Sequence, residues 1–238
     1  MVNMSQIDDA GARPNETGGA QTLARGLDVL EVMAKRPEGV TIVELSELLG
    51  LHRAIIGRLT RTLEQYGFVE RIDSRRIRLG IHLVELSRSV KADLREVATS
   101  VLKVVADNLG ATVLLIVSDG DDAVVILVVE PQESDLHLAF RLGSRHPLNV
   151  GAEGMAILSG RPWKDGERVE VSAGRRSGYV TSSGEVHPGT WGLATPVKVG
   201  GAFAEVSISV ISQMPLDEGL VATIMQQAAG AIAARLRE

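Results

Sequence analysis

Thr41-Ile42-Val43-Glu44-Leu45-Ser46-Glu47-Leu48-Leu49-Gly50-Leu51-His52-Arg53-Ala54-Ile55-Ile56-Gly57-Arg58-Leu59-Thr60-Arg61-Thr62-Leu63-Glu64-Gln65-Tyr66-Gly67 holds two helix signatures separated by a glycine-leucine joint. Thr41 and Glu44 stand at the spacing of a capping box, in which a hydroxyl and a carboxylate satisfy free amides at a helix start. The helix that follows is short and stops at Gly50. Ile56, Leu59, Leu63 and Tyr66 then recur at helical spacing, and Gly67 ends the second helix. His52, Arg53, Gly57, Arg58 and Arg61 fall at its N-terminal and outward positions.

The flanks complete a module over residues 21–80. Leu23, Leu27, Leu30 and Met33 are spaced for one face of a preceding helix, which Pro37 and Gly39 end. Phe68–Ile72 and Ile77–Leu79 read as two strands around the polar turn Asp73 to Arg76. Three helices followed by a hairpin make a winged helix-turn-helix, whose second motif helix can lie in a DNA major groove. Arg53, Arg58 and Arg61 suit phosphate oxygens and guanine edges, and Arg75 and Arg76 at the hairpin tip suit phosphates. The competing readings are a solvated helix face on a protein-interaction module, and simple solubility charges at the tip.

Charge distribution favours the first reading. The net charge is −5, yet from His52 to Arg78 seven arginines face three acids, a local balance of +4 that leaves −9 for the rest. Residues 1–20 are polar, contain Gly11, Pro14, Gly18 and Gly19, and read as a disordered tail. Leu83, Leu86, Val90, Leu94, Val97, Val101, Val104 and Leu109 form a stripe that predicts one long linker helix over 81–109. Such a stripe is too long and apolar to stay exposed on a monomer, so a homodimer or tetramer is expected.

From residue 110 to 238 the texture is that of an α+β domain. Strands are predicted at Thr112–Val117, Ala123–Val129, Leu136–Phe140, Leu193–Val199 and Phe203–Ile211, with a final helix from Leu216 to Arg237. The expectation is helices on one face of a mainly antiparallel sheet. Gly151-Ala152-Glu153-Gly154 reads as a turn.

The chain has 238 residues, 45% hydrophobic and 23% charged, which excludes a disordered or collagen-like protein. The absence of cysteine removes disulfides, thiolate nucleophiles and thiolate metal sites. Apolar runs such as Val124–Val129 fall far short of the roughly 20 residues that span a bilayer. No secretory signal is visible, and a cytoplasmic location without membrane contact is expected. His137, His146 and His187 lie singly, without metal-ligand spacing. Gly189-Thr190-Trp191-Gly192 lacks the Lys-Ser/Thr of a phosphate loop, and no Gly-X-Ser-X-Gly elbow occurs. No enzyme, metal or cofactor is indicated.

Leu23-Ala24-Arg25-Gly26-Leu27-Asp28-Val29-Leu30, Glu44 to Leu51, Arg58 to Val69 and Arg78-Leu79-Gly80 together resemble the DNA-binding domain of IclR-type bacterial transcriptional regulators. The resemblance continues through Phe140 to Leu148, Gly178-Tyr179, Ala194-Thr195-Pro196-Val197 and Val206-Ser207-Ile208-Ser209. It implies a winged helix-turn-helix, a linker helix and a GAF-like effector domain, in dimers or tetramers that bind palindromic double-stranded operators. A small organic metabolite would modulate that binding, with repression the expected direction of control. By resemblance, Arg25 and the start of the second motif helix contact DNA. That start commonly carries Pro, Lys, Ser and Thr. Here His52-Arg53-Ala54-Ile55 replaces two hydroxyls by apolar groups, which shifts base reading toward thymine methyls.

The resemblance also places an effector pocket at the segment Gly151-Ala152-Glu153-Gly154, at Ser182 (acidic in relatives), at Gly192, and at Ser207 and Ser209. The two serines sit at i and i+2 on one strand face, where hydroxyls could hold a carboxylate or carbonyl. Alternatively, small residues there let a helix pack closely. The stretch 159–177 is shorter than in relatives, which implies that a covering helix is absent. The alternative for the whole chain is a winged-helix adaptor or dimerisation protein with no ligand response.

Overall fold

The computed structural model describes residues 19–132, 141–198 and 205–236. The chain forms two compact units, residues 1–90 and 91–238. The strand expected at Leu136–Phe140, His137 and nearly all of the expected tail lie outside the described residues.

The first unit contains α1 (Gln21–Ala34), β1 (Val40–Thr41), α2 (Ile42–Leu49), α3 (Arg53–Gln65), β2 (Val69–Arg71), β3 (Arg76–Leu79) and α4 (His82–Arg88). The capping box forms as the spacing predicts: Glu44 N–H donates to Thr41 Oγ1 at 3.2 Å, and Thr41 N–H donates to Glu44 Oε2 at 2.7 Å. That second bond holds the Glu44 carboxyl below its ordinary range. Gly50 closes α2 at φ +62°, a left-handed conformation that favours glycine. Val29, Met33, Leu45, Ile56, Leu59, Val69 and Ile77 make the core under the three helices. The wing is a three-stranded sheet rather than a simple hairpin, because Val40 and Thr41 pair with Ile77 and Arg76. The His82 ring meets Phe68 edge-on at 5.1 Å and ties the start of α4 to the wing.

The stripe from Leu83 to Leu109 is carried by two helices, not one. α5 (Ala92–Leu109) begins after Lys91, which adopts the left-handed conformation at φ +48°. Its buried face is Leu94, Ala98, Leu102, Val105 and Ala106, while Val104 stays exposed. Apolar residues occupy two adjacent faces of this segment, so counting large side chains alone selects a stripe rotated from the buried one.

The second unit continues with β4 (Thr112–Asp119), β5 (Asp122–Val129), β6 (Arg145–Pro147), α6 (Gly151–Ser159), α7 (Val169–Ser177), β7 (Val180–Ser183), β8 (Trp191–Val197), β9 (Val206–Ser212) and α8 (Glu218–Arg235). Six strands form an antiparallel sheet in the order β6-β5-β4-β9-β8-β7. Helices cover both faces of it, correcting the expectation of one. Val113, Leu115, Ile208 and Val210 pack with α5 and α8, while Leu114, Ile116, Val125 and Ile211 share a second core with Ile157 of α6. Alternate residues of β4 thus point into two cores, and its continuous apolar run follows from that. The Gly151–Gly154 segment is the first turn of α6 rather than a free turn. A Cβ on Gly154 would stand 2.5 Å from the Leu148 carbonyl oxygen, so only glycine lets α6 approach this backbone. α7 lies within the shortened 159–177 stretch. Among the described residues no helix is long and apolar enough to cross a membrane.

Candidate nucleic-acid interface and effector face

α3 buries Ile56, Leu59 and Thr60 and presents His52, Arg53, Ala54, Arg58 and Arg61 on its exposed side. His52 caps the helix, its Nδ1 accepting from Ala54 N–H at 3.2 Å. Ile55 is half-buried. Arg25 of α1 lies across a groove of about 250 Å³ from Arg58, with Thr22, Ile55, Leu59 and Thr62 completing the walls. Among the described residues, none of Arg25, Arg53, Arg58, Arg61 and Arg75 belongs to an ion pair, whereas Arg71 pairs with Glu64 at 3.0 Å and Arg78 with Glu70 at 2.7 Å. Five arginines without a carboxylate therefore lie on α3, the facing side of α1 and the wing.

The wing separates its two arginines. Arg75 is exposed in the turn, where Asp73 Oδ1 accepts from the N–H groups of Arg75 (2.7 Å) and Arg76 (2.8 Å). These two bonds hold the Asp73 carboxyl below its usual range. Arg76 is not at the tip. It opens β3, is half-buried, and donates from its guanidinium to the Gly39 carbonyl at 3.0 Å.

In the second unit all six residues expected at an effector pocket converge on the start of α6. Ala152 N–H donates to Ser182 Oγ at 2.8 Å, and Ser182 pairs with Gly192 across β7 and β8. Ser207 and Ser209 are fully buried. Ser207 donates to the Glu153 carbonyl at 2.8 Å, and Ser209 to Glu153 Oε1 at 3.4 Å. Glu153, which lies inside the expected segment, and two residues absent from the sequence-based set, Glu185 and Arg168, belong to the same place. Glu153 is 6% exposed. Glu185 accepts from Gly151 N–H at 3.0 Å, an anion at the positive end of a helix. Arg168 pairs with Glu185 at 2.8 Å and with Glu170 at 3.0 Å. These bonds, the Glu170 one foremost, raise the Arg168 pKa, and the guanidinium holds both carboxyls low. A glutamate inside the otherwise small and apolar run Gly151 to Leu158 is the signal that marks Glu153.

Comparison with known proteins matches both units. The model of the IclR helix-turn-helix domain fits residues 22–73, and that of the bacterial transcriptional regulator IclR C-terminal domain fits residues 87–173. The HTH-type transcriptional regulator TtgV of Pseudomonas putida is 25% identical over 76% of this chain and 67% of its own length. The acetate operon repressor of Salmonella typhimurium is 30% identical over 60% of this chain, a match that spans little more than half (54%) of that relative. A crystal structure of an IclR homolog complexed with 4-hydroxybenzoate, from Microbacterium hydrocarbonoxydans, shares the fold with a TM-score of 0.79 at 20% identity, covering 91% of this chain and 99% of that one. With both of its units matched in this order, the chain belongs to the IclR family of DNA-binding transcriptional regulators.

Proposed function

We propose that this regulator is a repressor that binds a palindromic operator as a homodimer or tetramer and changes its operator affinity with a small metabolite. Its DNA surface is His52, Arg53, Ala54, Ile55, Arg58 and Arg61 in the major groove, with Arg25 and Arg75 on phosphates. The observation that carries this reading is the set of guanidinium groups on α3, α1 and the wing that have no ion pair among the described residues, in a chain of net charge −5. Arginines free of carboxylates are available to phosphates at no loss of an internal bond. Repression is supported by the relative that carries that name. Self-association is supported by large apolar side chains left exposed in the first unit: Leu23 (64%), Leu27, Ile81 (67%), Val84 and Val90. A two-fold dimer presents two α3 helices, which fits a palindrome. The effector face is the start of α6 with Gly151, Ala152, Ser182, Gly192, Ser207 and Ser209, in a domain over residues 110–238 of a cytoplasmic protein.

The test is selection of duplexes from random DNA by the purified protein, followed by titration over a range of salt. Log affinity against log salt is expected to fall by about 0.9 per neutralised phosphate. Selection that yields no inverted repeat, or a protein that sediments as a monomer with and without DNA, would overturn the reading. A second reading, an adaptor with no ligand response, is favoured by one observation: Ser207 and Ser209 already bond to Glu153. Operator affinity unchanged by every compound in a thermal-shift screen decides for it.

A further inference from the structure

We propose that Glu153 is a tethered carboxylate filling an anion subsite of the effector face, so that the wild-type protein is closed to small organic anions and removal of the carboxylate opens it to them. The proposal rests on the effector reading of the same face. Four donors converge there, and the chain itself occupies each one. Gly151 N–H donates to Glu185 and Ala152 N–H to Ser182. The Ser207 hydroxyl donates to the Glu153 carbonyl. The Ser209 hydroxyl donates to Glu153 Oε1 at 3.4 Å, its alternative being the Val210 carbonyl at 3.5 Å.

Glu153 is 6% exposed, and among the described residues no ion pair includes it. Buried carboxylates are ordinarily paired with a cation or a metal, so a group held here by a serine hydroxyl is unusual. Glycines flank it on two sides. A Cβ built on Gly151 would stand 2.7 Å from Oε2, and one on Gly192 would stand 3.8 Å from Oε1. The missing side chain at Gly151 therefore gives space to the chain's own carboxylate. A free organic anion arriving at this place meets no uncommitted donor among these four and two carboxylates, Glu153 and Glu185. The Arg168 charge is already shared between Glu185 and Glu170.

Glu153→Ala removes a CH₂–COO⁻ fragment, which is acetate less one hydrogen. Full-length wild type, Glu153→Ala, Glu153→Gln and the Glu153→Ala/Ser209→Val double variant are melted in sodium acetate and in sodium chloride at equal ionic strength and pH 7. The alanine variant is expected to melt lower than wild type and to regain about 3–6 °C, saturably, at ten times the acetate Kd. Wild type and Glu153→Gln, whose side chains fill the space, are expected to melt alike in both salts. The double variant is expected to lose the acetate response. A folded Glu153→Ala that ignores acetate overturns the proposal. So does a saturable response of wild type to acetate or pyruvate that Ser209→Val abolishes, a measurement that decides even where the alanine variant does not fold. Acetate that stabilises Glu153→Ala without changing its operator affinity supports the tethered carboxylate and counts against the effector reading alone.

Discussion

In the first unit Arg25, Arg53, Arg58, Arg61 and Arg75 stand outside every ion pair among the described residues, whereas in the second Arg145, Arg161, Arg168 and Arg175 each hold at least one carboxylate. One residue type thus serves two purposes in one chain. In the second unit these four guanidinium groups tie loops and helices together. Arg175 bonds Glu167, which also accepts from Ser172, and reaches the carbonyls of Leu158 and Arg161. In the first, four of the five are exposed and Arg25 lines a groove, where a phosphate backbone would supply the missing anions. An arginine count cannot separate the two uses; the absence of a carboxylate together with a place on α3, α1 or the wing can.

The sharpest test of this contrast is loss of the α3 arginines. Arg53→Ala with Arg58→Ala is expected to weaken operator binding by about 2–6 kcal/mol, taking about 1–3 kcal/mol per base-reading arginine. The melting temperature should hold, since neither residue has an ion pair to lose among the described residues. Fluorescence anisotropy with the selected duplex and a parallel melt measure both. Unchanged affinity would break the comparison at its stronger end.

The opposite pattern is expected in the second unit. Glu167 has a side chain only 10% exposed, and Arg175 holds its carboxyl far below the usual range, at about 2 against 4.5. Arg175→Met leaves that carboxylate buried without its cation. The expected loss is about 2–3 kcal/mol of stability, below the 3–5 typical of a fully buried pair, with operator affinity intact. The pH dependence follows from the sign of the shift. A carboxyl lowered on folding contributes stability that is complete above about 4.5 and fades as pH falls toward about 2. Chemical denaturation at pH 6, 4 and 2.5 is therefore expected to show wild type losing stability across that window and Arg175→Met losing less of it. Equal losses in both would detach the pH effect from this pair.

The same contrast explains what was legible in the sequence. The helix-turn-helix announces itself because its signals are local: the Thr41–Glu44 capping box, Gly50, and a stripe of large side chains at helical spacing. The second unit is held by contacts between distant segments, and its sequence carries weaker marks. Val113 to Val117 is apolar at every position, a sign of burial on both faces that a one-sided sheet would not need. α6 is hidden because Gly151 and Gly154 resemble turn residues, although Gly154 serves close packing on Leu148. The break at Lys91 falls where the apolar stripe runs on without interruption, so periodicity alone does not reveal it. Family resemblance brings the six effector-face residues together and its Gly151–Gly154 segment includes Glu153, but the bonds Glu153 accepts from Ser207 and Ser209 are visible only once α6 is placed on β9.

The finest distinction lies within the wing, where adjacent arginines fall on opposite sides of the comparison. Arg75 is exposed with no ion-pair partner among the described residues, and Arg76 spends its guanidinium on the Gly39 carbonyl. If Arg75 meets one phosphate in each half-site, Arg75→Ala should make the log affinity against log salt slope shallower by about 0.9 per protomer, with sequence preference unchanged. Affinity itself would fall only modestly at ordinary salt, because a single backbone contact is lost while the base-reading helix stays in place. Arg76→Ala should leave the slope as it is. Its expected effect is a loss of about 0.5–1.5 kcal/mol in stability, the usual net contribution of one hydrogen bond. Titrations at four salt concentrations for wild type and the two single variants separate these outcomes. A slope that responds to Arg76→Ala and not to Arg75→Ala would mean that the wing turns over on DNA, releasing Gly39 and presenting the other side chain to the backbone.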